Sequence, residues 1–263
     1  MSDNPPPTRQ TDARPTPIAV ICCSVLRQEI EHFAQPHSHI VHIEVLEYGL
    51  HSEPDKLRTT LQQTIDRIEQ TTPAEAIVLG YGLCSRGTEG ITTRRCRLVI
   101  PRAHDCITLL LGSKERYAQY VAEHPGTYWY SPGWNKEHLP PGKARYDHYY
   151  KEYVEKYGED NATYLMEMEQ QWMTTYSRAT YVDLGVGVTD DDLQYTRQCA
   201  DYLGWSCDRQ HGDPALLQAL LANDWPDDRF LVLQPGQTMQ LTADDRVIGI
   251  NPRNPRNPTK GAE

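Results

Sequence analysis

The sequence Ile18-Ala-Val-Ile-Cys-Cys23 is a short apolar run containing Val and Ile, a composition typical of a buried β-strand. Ile40–Leu46 predicts a second strand and Ala76–Gly80 a third. Between them, Val25–Ala34 and Pro54–Glu69 carry apolar residues at helical spacing. Strands that alternate with helices predict a parallel sheet with right-handed crossovers.

The alternation continues along the chain and is interrupted once. Arg97–Ile100 predicts a fourth strand, and Cys106–Ala122 predicts a helix with Asp105 as its N-cap. Later segments repeat the pattern: strand Ala179–Leu184, helix Asp190–Leu203, a short strand around Trp205, helix Pro214–Leu221, strand Phe230–Leu233 and a hairpin within Gln237–Ile250. We therefore predict an α/β fold with a parallel-sheet, Rossmann-like core, and the pattern leaves open whether it forms one sheet or two lobes.

The pattern divides the chain into five parts. The interruption is an aromatic loop, Gly126–Trp134, followed by two polar helices predicted at Tyr146–Tyr157 and Ala162–Thr175. The predicted parts are a disordered tail at 1–17, an α/β unit with the cysteine site at 18–124, the aromatic loop and helical insertion at 125–177, a second α/β part at 178–236, and a hairpin with a disordered tail at 237–263.

Charge and cysteine content exclude several classes of protein. The chain of 263 residues has a net charge of −10, with 36 acidic and 26 basic residues, which argues against nucleic-acid binding. No segment has the ~20 apolar residues of a membrane span, and no signal-peptide core precedes the first strand. We expect a cytoplasmic protein, in which the seven cysteines are mostly reduced thiols.

Three of the cysteines occupy the ends of predicted strands. Cys23 ends the first strand, Cys84 ends the run Ala76-Ile-Val-Leu-Gly-Tyr-Gly-Leu-Cys84, and Cys106 follows Leu98-Val-Ile-Pro-Arg-Ala-His-Asp. Ligands bind at the carboxyl ends of strands in open parallel sheets. Three thiols brought to one such edge indicate a metal or iron–sulfur site. The spacing contains no Cys-x-x-Cys pair, so the fold, rather than a local loop, must assemble this site.

The donor atoms restrict the choice of metal. Three protein ligands with one open position are typical of catalytic metal sites, and thiolates disfavour Mg²⁺, Ca²⁺ and Mn²⁺. We predict a [4Fe-4S]-type cluster first and zinc second, held by Cys23, Cys84 and Cys106. The open position would bind a small molecule or serve electron transfer with a redox partner protein.

Residues near these cysteines are assigned supporting functions. His104 and Asp105 precede Cys106 directly, and we predict that they tune or protonate the centre as catalytic residues. Arg86 and Arg102 would hold an anionic group of the ligand. Tyr81, in the Gly-rich turn before Cys84, is also predicted to contact the cofactor. The aromatic segment Tyr128–Trp134 would shield the site.

The motifs together resemble a known family. Ile21-Cys-Cys23-Ser-Val-Leu26, Gly80-Tyr-Gly-Leu-Cys84, Pro101-Arg-Ala-His-Asp-Cys106 and Pro125-Gly-Thr-Tyr-Trp-Tyr-Ser-Pro-Gly-Trp134 are similar to motifs of the domain-of-unknown-function family 1638 (DUF1638). The likeness extends over about Ile18–Gly236. Members often have glycine after the first cysteine, where this chain has Ser24. The resemblance implies a setting of anaerobic corrinoid-dependent methyl transfer and specifies no reaction.

Two other functions fit the same residues, so the sequence does not establish that the protein is an enzyme. An accessory protein would deliver a metal or cofactor to a partner without turnover. A metal-free thiol enzyme would use Cys106 as nucleophile and His104 as its base.

Overall fold

The computed structural model describes residues 15–252. Within them the strands are β1 (Ile18–Cys23), β2 (Ile40–Leu46), β3 (Ala76–Gly80), β4 (Arg97–Pro101), β5 (Thr127–Tyr130), β6 (Arg178–Asp183), β7 (Ser206–His211), β8 (Phe230–Leu233), β9 (Met239–Leu241) and β10 (Ile248–Ile250). The helices are α1 (Arg27–Ala34), α2 (Pro54–Thr71), α3 (Cys106–Leu111), α4 (Lys114–Glu123), α5 (Pro132–Glu137), α6 (Lys143–Tyr157), α7 (Glu159–Gln170), α8 (Asp190–Leu203) and α9 (Ala215–Leu221). Short 3-10 helices occupy Ser24–Leu26, Tyr48–Ser52 and Gln171–Thr175.

The strands of the described residues form two larger sheets and one hairpin. The first sheet has the order β2-β1-β3-β4-β8, in which β8 is antiparallel to β4 and the other pairs are parallel. The second sheet has the order β5-β6-β7 and is parallel throughout. The predicted α/β class and the parallel pairing are confirmed, and strands β9 and β10 form the hairpin expected within Gln237–Ile250.

The core follows the apolar pattern that predicted the strands. All six residues of β1 and all five of β3 are buried, as expected for central strands covered on both faces. In α2, Leu57, Leu61 and Ile65 point inward at helical spacing. The second sheet has a smaller core, made of Tyr130, Ala179, Tyr181, Cys199 and Ala200.

Three predicted segments differ from the structure. The helix predicted over Cys106–Ala122 is two helices, because Gly112 adopts a φ of 85° and ends α3, after which the Ser113 side chain caps α4. The aromatic stretch predicted as a loop contains β5, because Thr127–Tyr130 pairs with β6. The predicted second α/β part is divided, since β6 and β7 join the second sheet while β8 returns to the first.

The ends of the chain lie outside the described residues. The tail predicted at 1–17 falls there except for residues 15–17, and so does the tail from residue 253 onward. Among residues 15–252, every helix is too short or too polar to cross a bilayer.

Candidate metal centre

The carboxyl edge of the first sheet carries a group of thiols and one imidazole. The ligand atoms of Cys23, His51 and Cys106 all lie within 4.8 Å of one another. Cys84 lies beside the same group, since Cys106 and His51 both lower the pKa of its thiol. We call these four residues the thiol–imidazole centre.

His51 reaches the centre because its segment is tied to the end of β1. The backbone N–H of Tyr48 donates to Ser24 Oγ at 3.1 Å, which fixes the 3-10 helix Tyr48–Ser52 beside Cys23. Ser24 occupies the position at which members of the resembling family often have glycine. Its hydroxyl therefore has a positioning role that glycine could not supply.

The ring orientation of His51 is also fixed. His51 Nδ1 lies 2.8 Å from the carbonyl oxygen of Tyr48. A carbonyl only accepts, so Nδ1 carries a hydrogen, and Nε2 is the nitrogen that can bind a metal once it has lost its proton. This arrangement of a metal-binding histidine with a backbone carbonyl is a common outer-shell contact in metal sites.

Cys84 lies in an unusual backbone turn. Cys84, Ser85 and Arg86 all have positive φ, at 45°, 54° and 67°. Such left-handed conformations are strained for residues with a side chain and persist where the surroundings impose them. Here Arg58 holds the turn by donating from Nε to Glu89 O at 2.7 Å and from Nη2 to Arg86 O at 3.1 Å.

The turns that carry Cys84 and Cys106 are joined by their backbones. Leu83 N donates to Ala103 O at 2.8 Å, and Cys84 N donates to His104 O at 2.9 Å. A Cβ on Gly82 would lie 2.7 Å from Ala103 O, so only glycine permits this approach. The Gly-Tyr-Gly-Leu-Cys and His-Asp-Cys motifs are thus two halves of one hydrogen-bonded structure.

The four side chains shift one another's proton affinity. Interaction with Cys106 lowers the pKa of Cys23 to about 5, and a separate interaction with Cys106 lowers the pKa of Cys84 to about 7, with His51 contributing to both shifts. The thiol of Cys106 interacts as the donor with the sulfurs of Cys23 and Cys84, and this raises the pKa of Cys106 well above its usual value. Burial lowers the pKa of His51, but its contacts with Cys23 and Cys84 outweigh burial and raise that pKa to about 11. The centre therefore stabilises thiolates, the form in which cysteine binds metal.

A cavity of about 500 Å³ opens onto the centre at Cys106 and His51. Its lining also includes Asp105 and residues of the aromatic segment, namely Tyr128, Trp129, Ser131 and Trp134. The segment is held close because Gly133, in α5, packs directly on Val25 O, where a Cβ would lie at 1.9 Å. Cys23 and Cys84 do not line this cavity, so an approaching molecule would meet Cys106 and His51 first.

The predicted catalytic residues lie beside the centre in different environments. Asp105 is the N-cap of α3, since its side chain accepts from Thr108 N, and Tyr117 OH donates to its Oδ2 at 3.2 Å. Burial raises the pKa of Asp105. His104 is exposed and its ring packs on Tyr117 with 5.7 Å between centroids. The structure thus places Asp105 in the cavity wall and His104 outside it.

Neither arginine predicted to hold an anion faces the cavity. Arg102 is buried and donates to Asp227 O at 2.6 Å and to the carbonyl of Ile248. Arg86 is exposed and pairs with Glu89 at 2.7 Å. Their donors contact the Cys84 turn and the last strand, and an anion held by these two arginines stays a prediction.

Tyr81 lies next to the centre. The register of β1 with β3 places Cys22 opposite Gly80, so Tyr81 follows beside Cys23. Its ring stacks on His51 with 6.1 Å between centroids, and its hydroxyl is buried without a partner among the described residues. Tyr81 therefore supports the His51 ring.

Comparison with known proteins identifies one family. A family model described as "Protein of unknown function (DUF1638)" matches residues 45–221. His51, Cys84 and Cys106 lie inside the match, and Cys23 precedes it. No curated protein matches the chain, and no solved structure matches it.

Proposed function

The chain belongs to the DUF1638 family, whose description assigns no activity, and we propose that it binds one soft metal ion at the thiol–imidazole centre and a small molecule beside that ion. The observation that supports this proposal is the mutual approach of Cys23, His51 and Cys106 to within 4.8 Å. When bound, such an ion would supply a Lewis acid next to the cavity.

The distances favour a single ion over a cluster. Zinc binds sulfur at about 2.3 Å and nitrogen at about 2.0 Å, so two ligands of one ion are at most about 4.6 Å apart. An iron–sulfur cluster takes each thiolate on a different iron, which separates the sulfur atoms further. We therefore place zinc ahead of the [4Fe-4S]-type cluster that the cysteine pattern alone predicted.

Three donors would hold the ion in this proposal, namely Cys23, His51 and Cys106, and the fourth position would stay open. Cys84, which the sequence predicted as a ligand, lies beside this compact group and outside it. A set of two cysteines and one histidine with an open position matches known catalytic zinc ligation. The cavity reaches the centre on the side of Cys106 and His51, which is where the ion would meet a small molecule.

A metal-free thiol enzyme has one observation in its favour. Cys23 and His51 form a thiolate–imidazolium pair, with the pKa of Cys23 lowered to about 5 by Cys106 and His51. This pair differs from the Cys106–His104 pair expected from the sequence. Cys23 is fully buried and does not line the cavity, so a substrate in the cavity would not meet its sulfur. We therefore prefer the metal-binding function.

Metal analysis after anaerobic purification tests the proposal. We expect one zinc ion per chain and, after exchange for Co²⁺, the intense absorption of cobalt–thiolate bonds. Replacing His51 with asparagine should weaken Co²⁺ binding by more than about 100-fold, since changes outside the ligands already cost about 10–100-fold. The His211→Asn variant, on β7, is the matched control and should bind normally.

Two results would contradict the single-ion proposal. About four irons with sulfide per chain would replace the ion with a cluster. Protein without metal, together with selective alkylation of one cysteine, would favour the thiol enzyme.

Several expectations remain predictions. They are the corrinoid-dependent setting, a redox partner protein, the lack of nucleic-acid binding and the cytoplasmic location.

A further inference from the structure

We propose that the cavity beside the thiol–imidazole centre binds an uncharged organic molecule with a ring-sized apolar body, and that it disfavours anions. This inference extends the proposed function. It rests on that function only because the cavity is taken as the route by which a molecule reaches the metal. Its basis is the chemistry of the cavity walls.

The walls are predominantly apolar and aromatic. They include the aliphatic residues Val25, Ile107, Leu110 and Val121 and the aromatic residues Tyr117, Tyr128, Trp129, Trp134 and Tyr176. The volume of about 500 Å³ is within the range of small-molecule pockets. A dry cavity of about 150 Å³ already accepts benzene, so a molecule of two or three rings fits here.

The charges around the cavity do not favour an anion. Its lining contains a carboxylate, Asp105, neither lysine nor arginine, and two histidines, of which His51 is paired with the thiols of Cys23 and Cys84. The nearest predicted cations, Arg86 and Arg102, are paired elsewhere. The two thiolates of Cys23 and Cys106 would neutralise a divalent ion, so the occupied centre would not attract negative charge as a whole.

Three hydroxyls and the carboxylate of the walls already have partners, and Trp134 Nε1 has none among the described residues. Ser131 Oγ accepts from Trp134 N, Thr127 Oγ1 donates to His124 O, and Thr175 Oγ1 donates to Trp172 O. Both oxygens of Asp105 are engaged by Thr108 and Tyr117. A strongly polar ligand would lose its hydration here and recover few hydrogen bonds, which makes its transfer unfavourable.

Two fluorescent probes with the same ring system test the charge preference. N-phenylnaphthylamine is uncharged, and anilinonaphthalene sulfonate carries a sulfonate on the same scaffold. We expect the uncharged probe to bind the full chain at least about tenfold more tightly, with energy transfer from Trp129 and Trp134. Equal or tighter binding of the sulfonate, or no binding of the uncharged probe, would overturn the proposal.

A matched pair of variants assigns the preference to this cavity. Val121 is a cavity residue with 39% of its surface exposed, and Val41, on β2 outside the cavity, is 42% exposed. Val121→Arg should lower the preference for the uncharged probe by about tenfold, whereas Val41→Arg adds the same charge and should leave it unchanged. An equal response of the two variants would mean that the probes report net charge, and would overturn the assignment.

Metal content is measured separately on the probe-free protein. Protein without metal that still prefers the uncharged probe contradicts the metal centre and leaves the ligand class standing. If metal-loaded protein binds the sulfonate probe more tightly, the proposed ligand class is wrong and the proposed metal centre still stands.

Discussion

The two parallel sheets use cysteine in different ways. At the carboxyl edge of the first sheet, Cys23 and Cys106 meet His51, and contacts with these neighbours lower the pKa of Cys23 to about 5. Beside the second sheet, Cys199 is as buried as Cys84, at 2% exposure each, but burial raises its pKa to about 11. Burial alone therefore makes an inert thiol, and the convergence of several chain segments makes a reactive one.

The largest effect that tests this contrast is loss of the metal. Replacing Cys106 with serine removes the sulfur that contacts both Cys23 and Cys84, so we expect metal content to fall from one ion per chain to nearly none. Inductively coupled plasma mass spectrometry of the purified variants measures this directly.

Cys199→Ser is the matched control, because it makes the same change at a buried site of the second sheet. It should keep the full metal content and lose only some stability from a buried hydroxyl. Equal metal loss in both variants would show that metal binding does not depend specifically on the cysteines at the carboxyl edge of the first sheet.

Much of the first sheet could be predicted because its signals are local. Apolar runs predicted β1, β2 and β3 with their observed bounds, and each of the three cysteines lies at or shortly after the end of a strand. Parallel order then implied that these strand ends share one edge. The location of the centre could be predicted in part from the sequence, because its cysteines adjoin the strands with the clearest apolar pattern.

His51 was missed although the same rule applied to it. It lies in the connection after β2, which neighbours β1 and so ends at the same edge. His104 was chosen instead for its closeness to Cys106 in sequence. Neighbouring strands, rather than neighbouring residues, determined which imidazole reached the thiols.

The second sheet could not be predicted because its contacts are non-local. The four residues of β5 contain three aromatic residues beside a Ser-Pro-Gly turn, and the stretch becomes a strand only by pairing with β6, about 50 residues later in the chain. The contacts of Arg102 could likewise not be predicted, because its partners Asp227 and Ile248 lie more than 120 residues later in the chain.

A second test concerns Glu29, a residue of α1 whose charge is influenced by the second sheet. Glu29 is fully buried with both carboxylate oxygens unpartnered among the described residues. Burial, with a smaller contribution from Asp183 of β6, raises its pKa to about 7. The folded state therefore binds this proton more tightly than the unfolded state, and stability falls as pH rises from about 4.5 to 7.

The expected loss is about 3 kcal/mol in the free energy of unfolding across that window. Glu29→Gln should remove this part of the pH dependence, because an amide of similar size does not titrate. Urea unfolding of both proteins at several pH values measures the difference. If the two curves keep a constant separation, Glu29 has the same pKa in the folded and unfolded states.

The smallest effect compares one tyrosine hydroxyl from each sheet. Tyr120 OH lies 2.8 Å from Thr180 Oγ1 and donates to Asp208 Oδ2 at 2.8 Å, joining α4 to the second sheet. Tyr120→Phe should destabilise the protein by about 1–2 kcal/mol, since it leaves these buried groups short of a partner. Tyr81 OH, at the first sheet's edge, has no partner among the described residues, so Tyr81→Phe should be neutral or slightly stabilising in metal-free protein. Both changes are measured as shifts in the urea concentration at the midpoint of unfolding, provided that the dependence of the unfolding free energy on urea concentration is unchanged. Destabilisation by Tyr81→Phe comparable to that by Tyr120→Phe would mean that the Tyr81 hydroxyl does have a partner, and the sulfur atoms beside it at the end of β1 would be the first place to search.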